Sequence, residues 1–164
     1  MLAENTLIEL KEYVDYCLNR FPAEILHACA PLESEILEED RQPADLDGFI
    51  QSRRKPSLRH LLFSYIDQRG ASDSEIYKKA GIDRRHFSKI RSNPDYRPRK
   101  NTVIALALAL QLNIEEAGEL LSSAGFSLSD SDTSDLVIQF CLEKEIYNLQ
   151  DVNEALDNLG VKPL

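Results

Sequence analysis

Along most of this 164-residue chain the apolar residues recur at intervals of three and four, the spacing that lines one face of an α-helix. In "NTLIELKEYVDYCLNRF" the positions are Leu7, Leu10, Val14, Cys17, Leu18 and Phe21, and Thr6 with Glu9 has the spacing of a capping box. Pro22 predicts the end of that helix or the start of a short second one over "AEILHACA". From Pro31 to Gly48 the periodicity lapses. "PLESEILEEDRQPADLDG" is acidic, holds two prolines and reads as a linker or arm.

The pattern resumes at Ser57, which can cap a helix carrying Leu58, Leu61, Leu62, Tyr65 and Ile66 on one face before Gly70 stops it. A short helix from about Ser72 to Ala80 is expected to end at Gly81, where a residue without a side chain suits a left-handed turn. Asp83 can cap the next, Arg84 to Arg91. After "SNPDYRP" a helix begins near Asn101 and runs through "TVIALALAL", apolar nearly all round, as the central helix of a small bundle must be. "NIEEAGELLSSAG" predicts a further helix ending at Gly125. Beyond the polar turn "FSLSDSDTSD", the stretches "SDLVIQFCLEKEI" and "NLQDVNEALDNLG" predict a final pair, with Asn148 and Asp151 placed as caps and Gly160 as the stop.

The expected fold is therefore all-α. It divides into an N-terminal helical arm over 1–30, an acidic linker over 31–52, a five-helix domain over 53–125 and a C-terminal helix pair over 126–164.

Charge changes this picture. The formal net charge is −9, but residues 1–52 hold 12 acidic and 3 basic side chains, and residues 101–164 hold 11 and 2. Residues 53–100 invert the balance, with 14 basic and 5 acidic side chains. The middle third is a cation between two anions, which is evidence about partners rather than about fold.

Other chemistry narrows by exclusion. The opening "MLAENTLIELKEY" lacks the basic region and apolar run of a secretory signal, and "TVIALALALQL" is about half the length that crosses a bilayer. A cytoplasmic protein without membrane contact is expected. Cys17, Cys29 and Cys141 are far apart and form no Cys-x-x-Cys pair. His27 and Cys29 offer two ligands at most, so no metal is expected. The acidic runs lack the glycine and spacing of a calcium loop, and there is no P-loop or dinucleotide fingerprint. His86 and Ser88 lie on one helical turn with no orienting acid at a suitable spacing. No catalytic residue and no cofactor is expected.

The stretch "SDSEIYKKAGIDRRHFSKIRSNPDYRPRKNTVIALALALQLNIEEAGELL" resembles the Xre-type, lambda-repressor-like helix-turn-helix family over about residues 57–124. Ile76 stands at the first core position of the second helix, and Ala80-Gly81-Ile82 forms the turn. Asp83 caps the recognition helix, Phe87 and Ile90 are its inward residues, and Ser88 falls where the family often has Ser. Pro98 and Thr102 precede the fourth helix, and "IALALAL" matches its buried core. Two positions depart from the pattern. Asp73 stands where the family commonly carries a phosphate-contacting Gln, and Tyr77 replaces a small residue, usually Ala.

The resemblance implies a sequence-specific DNA-binding regulator acting on double-stranded DNA as a homodimer. The helical step supports this independently. With Phe87 and Ile90 inward, Arg85, Ser88, Lys89 and Ser92 face outward, with Arg84 at the edge. Arg84, Arg85, Ser88 and Lys89 are then the base-contacting candidates, because arginine can fork onto guanine O6 and N7. Arg97, Arg99, Lys100 and Asn101, beside the free N–H groups of the next helix, are the phosphate-contacting candidates. Arg53, Arg54, Lys55 and Arg59 can extend the basic track, and Tyr96 reads as packing its loop ahead of stacking on a base.

The alternative is a non-enzymatic adaptor, antitoxin-like or associated with phage defence, that uses the same module for protein assembly. The acidic flanks then hold a protein partner. They can equally inhibit the basic face, or oligomerise through Leu7, Leu10, Val14 and Leu18 and through Val152, Ala155, Leu156 and Leu159.

Overall fold

The computed structural model describes residues 2–19 and 46–164, and every regular element among them is an α-helix. They are α1 (Glu4–Asn19), α2 (Leu46–Arg53), α3 (Leu58–Gln68), α4 (Asp73–Lys79), α5 (Arg84–Ser92), α6 (Lys100–Ala109), α7 (Ile114–Ser123), α8 (Thr133–Glu143) and α9 (Leu149–Asn158). The all-α expectation holds for these residues. His27, Cys29, Phe21, Pro22, the short helix over "AEILHACA" and most of the acidic linker lie outside the described residues.

Helix α6 is the hub. Every residue from Val103 to Leu110 is buried, so the helix must be enclosed on all sides. α4, α7 and α9 pack on it and α3 packs on α7, and Leu62 and Ile66, Ile76, Leu120 and Leu121, and Val152 and Leu156 all share one apolar cluster with it. Each such side chain contributes roughly 1.5–3 kcal/mol on burial.

Local signals set the ends of these helices. Ser57 Oγ accepts from the His60 amide, and Asn148 caps α9 by accepting from Gln150. Ser72 and Glu75 form a full capping box at the head of α4. The two hydrogen bonds from Ser72 hold the Glu75 carboxyl below its ordinary range. A second box, Asn113 with Glu116, heads α7. At the ends of α6 and α8 the left-handed position falls on Gln111 (φ 53°) and Glu145 (φ 57°) rather than on glycine.

The flanks differ from expectation. α1 is not a free arm: it packs on α8 and α9, burying Leu10 and Val14, with Tyr13 tilted against Phe140 at 5.4 Å between ring centres. Its expected capping box is not formed. The helix starts earlier, with the Thr6 and Leu7 amides donating to the Ala3 carbonyl, and Glu9 instead pairs with Lys144 at 2.9 Å.

Val152, Ala155 and Leu156 are fully buried, and Leu159 is half-buried. The apolar faces expected to oligomerise are thus largely consumed inside one chain. Leu18 remains exposed. α8 and α9 share the core of α3–α7, so no boundary falls at 125/126: residues 2–19 and 56–164 make one unit. On α8, burial pushes the Cys141 thiol up to about 12, which leaves it a buried hydrophobe rather than a nucleophile.

The second unit contains α2, which occupies 46–53 within the stretch read as linker. Leu46, Phe49 and Ile50 are exposed on it, and the Arg53 guanidinium lies 4.8 Å over the Phe49 ring.

Candidate nucleic-acid interface

Helix α5 begins where Asp83 Oδ1 accepts the Arg85 amide at 2.7 Å. The turn before it closes on Gly81, at φ +63°, with the Ile82 amide donating to the Tyr77 carbonyl. Phe87 and Ile90 anchor α5 in the core, 3% and 1% exposed. The periodicity then turns Arg84, Arg85, Ser88, Lys89 and Ser92 outward, and all five are exposed. Among the described residues no acidic side chain pairs with Arg84, Arg85 or Lys89.

Other cations are committed elsewhere. Arg69 pairs with Glu116 at 3.3 Å and Lys144 with Glu9. Lys100, a phosphate-contacting candidate, points inward: its Nζ lies 2.6 Å from Asp135 Oδ2. Asp135 is 5% exposed, and the same oxygen accepts the Ser129 amide at 2.8 Å. A buried carboxylate needs such partners, and among the described residues Lys100 is the one cation paired with it. Lys100 therefore joins the head of α6 to α8 instead of facing outward with its neighbours. Arg97 and Arg99 are exposed and unpaired among the described residues, and Asn101 is exposed in the first turn of α6.

The α5–α6 loop is held against α5. Tyr96 OH and His86 Nε2 share a hydrogen bond of 2.8 Å, with the rings edge to face at 5.7 Å, and Pro98 is buried. Tyr96 thus packs the loop, as expected, and fixes where Arg97 and Arg99 leave it.

The two departures on α4 are accommodated locally. Asp73 is ion-paired with Arg91, so its charge is compensated. Tyr77 is half-buried and tilts against Phe87 at 5.9 Å. It lines an open groove of about 320 Å³ between α4 and α5, together with Phe87, Arg84, Ser88 and Arg91. No sequence signal marks Arg91 for this place. Its partner is 18 positions away, and no local pattern marks such a pair.

Searches against known protein families, curated proteins and solved structures find no match for this chain. Among the described residues no helix is long and apolar enough to cross a membrane, and no cluster of three metal-ligating side chains occurs.

Proposed function

We propose that α3–α7 form a lambda-repressor-like helix-turn-helix unit of the Xre type, and that the protein is a sequence-specific regulator of double-stranded DNA. One observation carries the reading. α5 is a short helix whose inner face is locked in the core and whose outer face presents Arg84, Arg85 and Lys89 without acidic partners among the described residues.

A helix of that diameter fits the major groove, where Arg84 and Arg85 take guanine edges and Ser88 and Lys89 take bases or phosphates. Arg97, Arg99 and the free amides at the head of α6 contact the flanking backbone. Lys100 leaves the contact set because Asp135 holds it. The protein binds as a homodimer across half-sites about 34–36 Å apart.

The test is enrichment of one sequence from a randomised duplex pool by the full chain. Arg84→Ala with Arg85→Ala should lower the preference for that sequence about ten- to a hundred-fold, as expected for loss of forked base contacts. No enrichment by the wild-type chain would overturn the reading.

A second reading, a protein-assembly adaptor with acidic flanks for its partner, is favoured by one feature. Tyr77 and Phe87 line the α4–α5 groove beside Asp73, Arg84 and Arg91, and aromatic surface with charges of both signs suits a peptide as well as a phosphate. A stable protein complex unaffected by Arg84→Ala and Arg85→Ala would select it.

A further inference from the structure

Four arginines from three segments stand around the flank of α5 in overlapping pairs. Arg84 and Arg91 line the groove between α4 and α5. Arg91 and Arg59 line a second open groove, of about 580 Å³, along α3, with His60 beside them and Phe63 at its floor. Arg59 and Arg97 line a third depression of about 100 Å³, which Tyr96 also borders. Each consecutive pair shares a depression, so the four side chains lie on one continuous path. All four are exposed.

Arg91 differs from the other three because it is held in place. Its guanidinium is paired with the Asp73 carboxylate and lies 4.9 Å over the Phe63 ring. Phe63 is in turn fixed edge-on against the core residue Phe87, at 6.0 Å. Asp73 satisfies one edge of a group with five N–H donors, and the Arg91 side chain remains 58% exposed. A guanidinium already fixed in this way loses little freedom on taking an anion. At the other end of α3, Asp67 lines the same groove as Arg59. Eight residues of helix separate the two, about 12 Å of rise, and a carboxylate there repels an anion and ends the path.

We propose that Arg97, Arg59 and Arg91 form one track for a phosphodiester backbone that runs up to the base-contacting Arg84, with Arg91 as its positioned anchor. The track rests on the DNA-binding reading and extends it. It brings α3 into the interface and gives the arginine at the end of α5 a contact with phosphate rather than with bases. Phosphate contacts position without reading sequence, so the track contributes affinity and salt dependence but not preference.

The test uses the full chain, a labelled duplex carrying the enriched sequence and a scrambled duplex, with affinities measured across a salt series. Each variant's thermal midpoint is recorded alongside. Arg59→Ala and Arg91→Ala should each weaken binding to both duplexes alike; the slope of log affinity against log salt should flatten by about one for Arg59→Ala and by less for Arg91→Ala, whose charge Asp73 already partly offsets. Asp73→Asn, which leaves Arg91 uncompensated, should steepen it.

Unchanged slopes for Arg59→Ala and Arg91→Ala, with wild-type binding that still requires Arg84 and Arg85, would overturn the track and leave the DNA reading standing. Absence of any duplex binding by the wild-type chain at low salt would overturn both. Should Arg91→Ala fail to fold, Arg59→Ala decides, because Arg59 makes no ion pair among the described residues.

Discussion

Asp135 shows how a single residue can tie distant parts of this chain together. Its carboxylate is buried, takes Lys100 from the head of α6, and accepts the amide of Ser129 in the turn before α8. Replacing it with Ala leaves the Lys100 ammonium without its partner and the Ser129 amide unbonded. Asp135→Ala should lower the stability of the full chain by about 2–3 kcal/mol, read as a shifted urea midpoint. The loss stays below that of a fully buried pair because Lys100 keeps some contact with water.

This residue also marks where sequence reading ran out. Lys100 sits in the most basic stretch of the chain, and nothing nearby distinguishes it from Arg97 and Arg99. Its partner lies 35 positions away. Asp73 and Arg91 are the same kind of case. Side-chain ion pairs between elements have no period, so only the assembled fold reveals them.

At the scale of elements the local physics was far more legible. Ser57, Asp83 and Asn148 cap helices as their positions predict, because a cap depends only on residues two or three places away. The all-round apolar character of α6 announced its central place. Thr6 and Glu9 had the right spacing for a cap, yet α1 starts at Glu4, and Glu9 pairs with Lys144 instead. The ends of α6 and α8 were harder to place because Gln111 and Glu145, not glycines, take the left-handed turn.

The α4–α5 turn carries its own test. Gly81 has φ +63°, and a Cβ there would lie 3.1 Å from Leu149 Cδ2. Gly81→Ala should cost about 1–2 kcal/mol from the left-handed backbone alone. The flexible end of Leu149 can yield, so the loss should appear as a lower thermal midpoint with the helix content retained.

On the scale of the whole molecule, charge and packing divide the chain differently. Charge runs in three blocks along the sequence, but packing merges α1 and α3–α9 into one unit around α6. Blocks of charge are read by counting. The docking of α1 onto α8 and α9 depends on which apolar stripes meet, and periodicity alone does not pair them. The consequence for function is direct. The flanking helices spend their apolar faces on the core, while the outer face of α5 keeps its cations exposed.

If this outer face meets DNA as proposed, duplex binding must register on its backbone amides. At 18.6 kDa the full chain suits amide chemical-shift mapping while duplex is titrated in at low salt. Shifts should concentrate in Arg84–Ser92, around Arg59 and in residues 97–101, with α8 and α9 unmoved. Shifts that avoid α5, or no shifts with duplex in excess, would contradict the proposed contact.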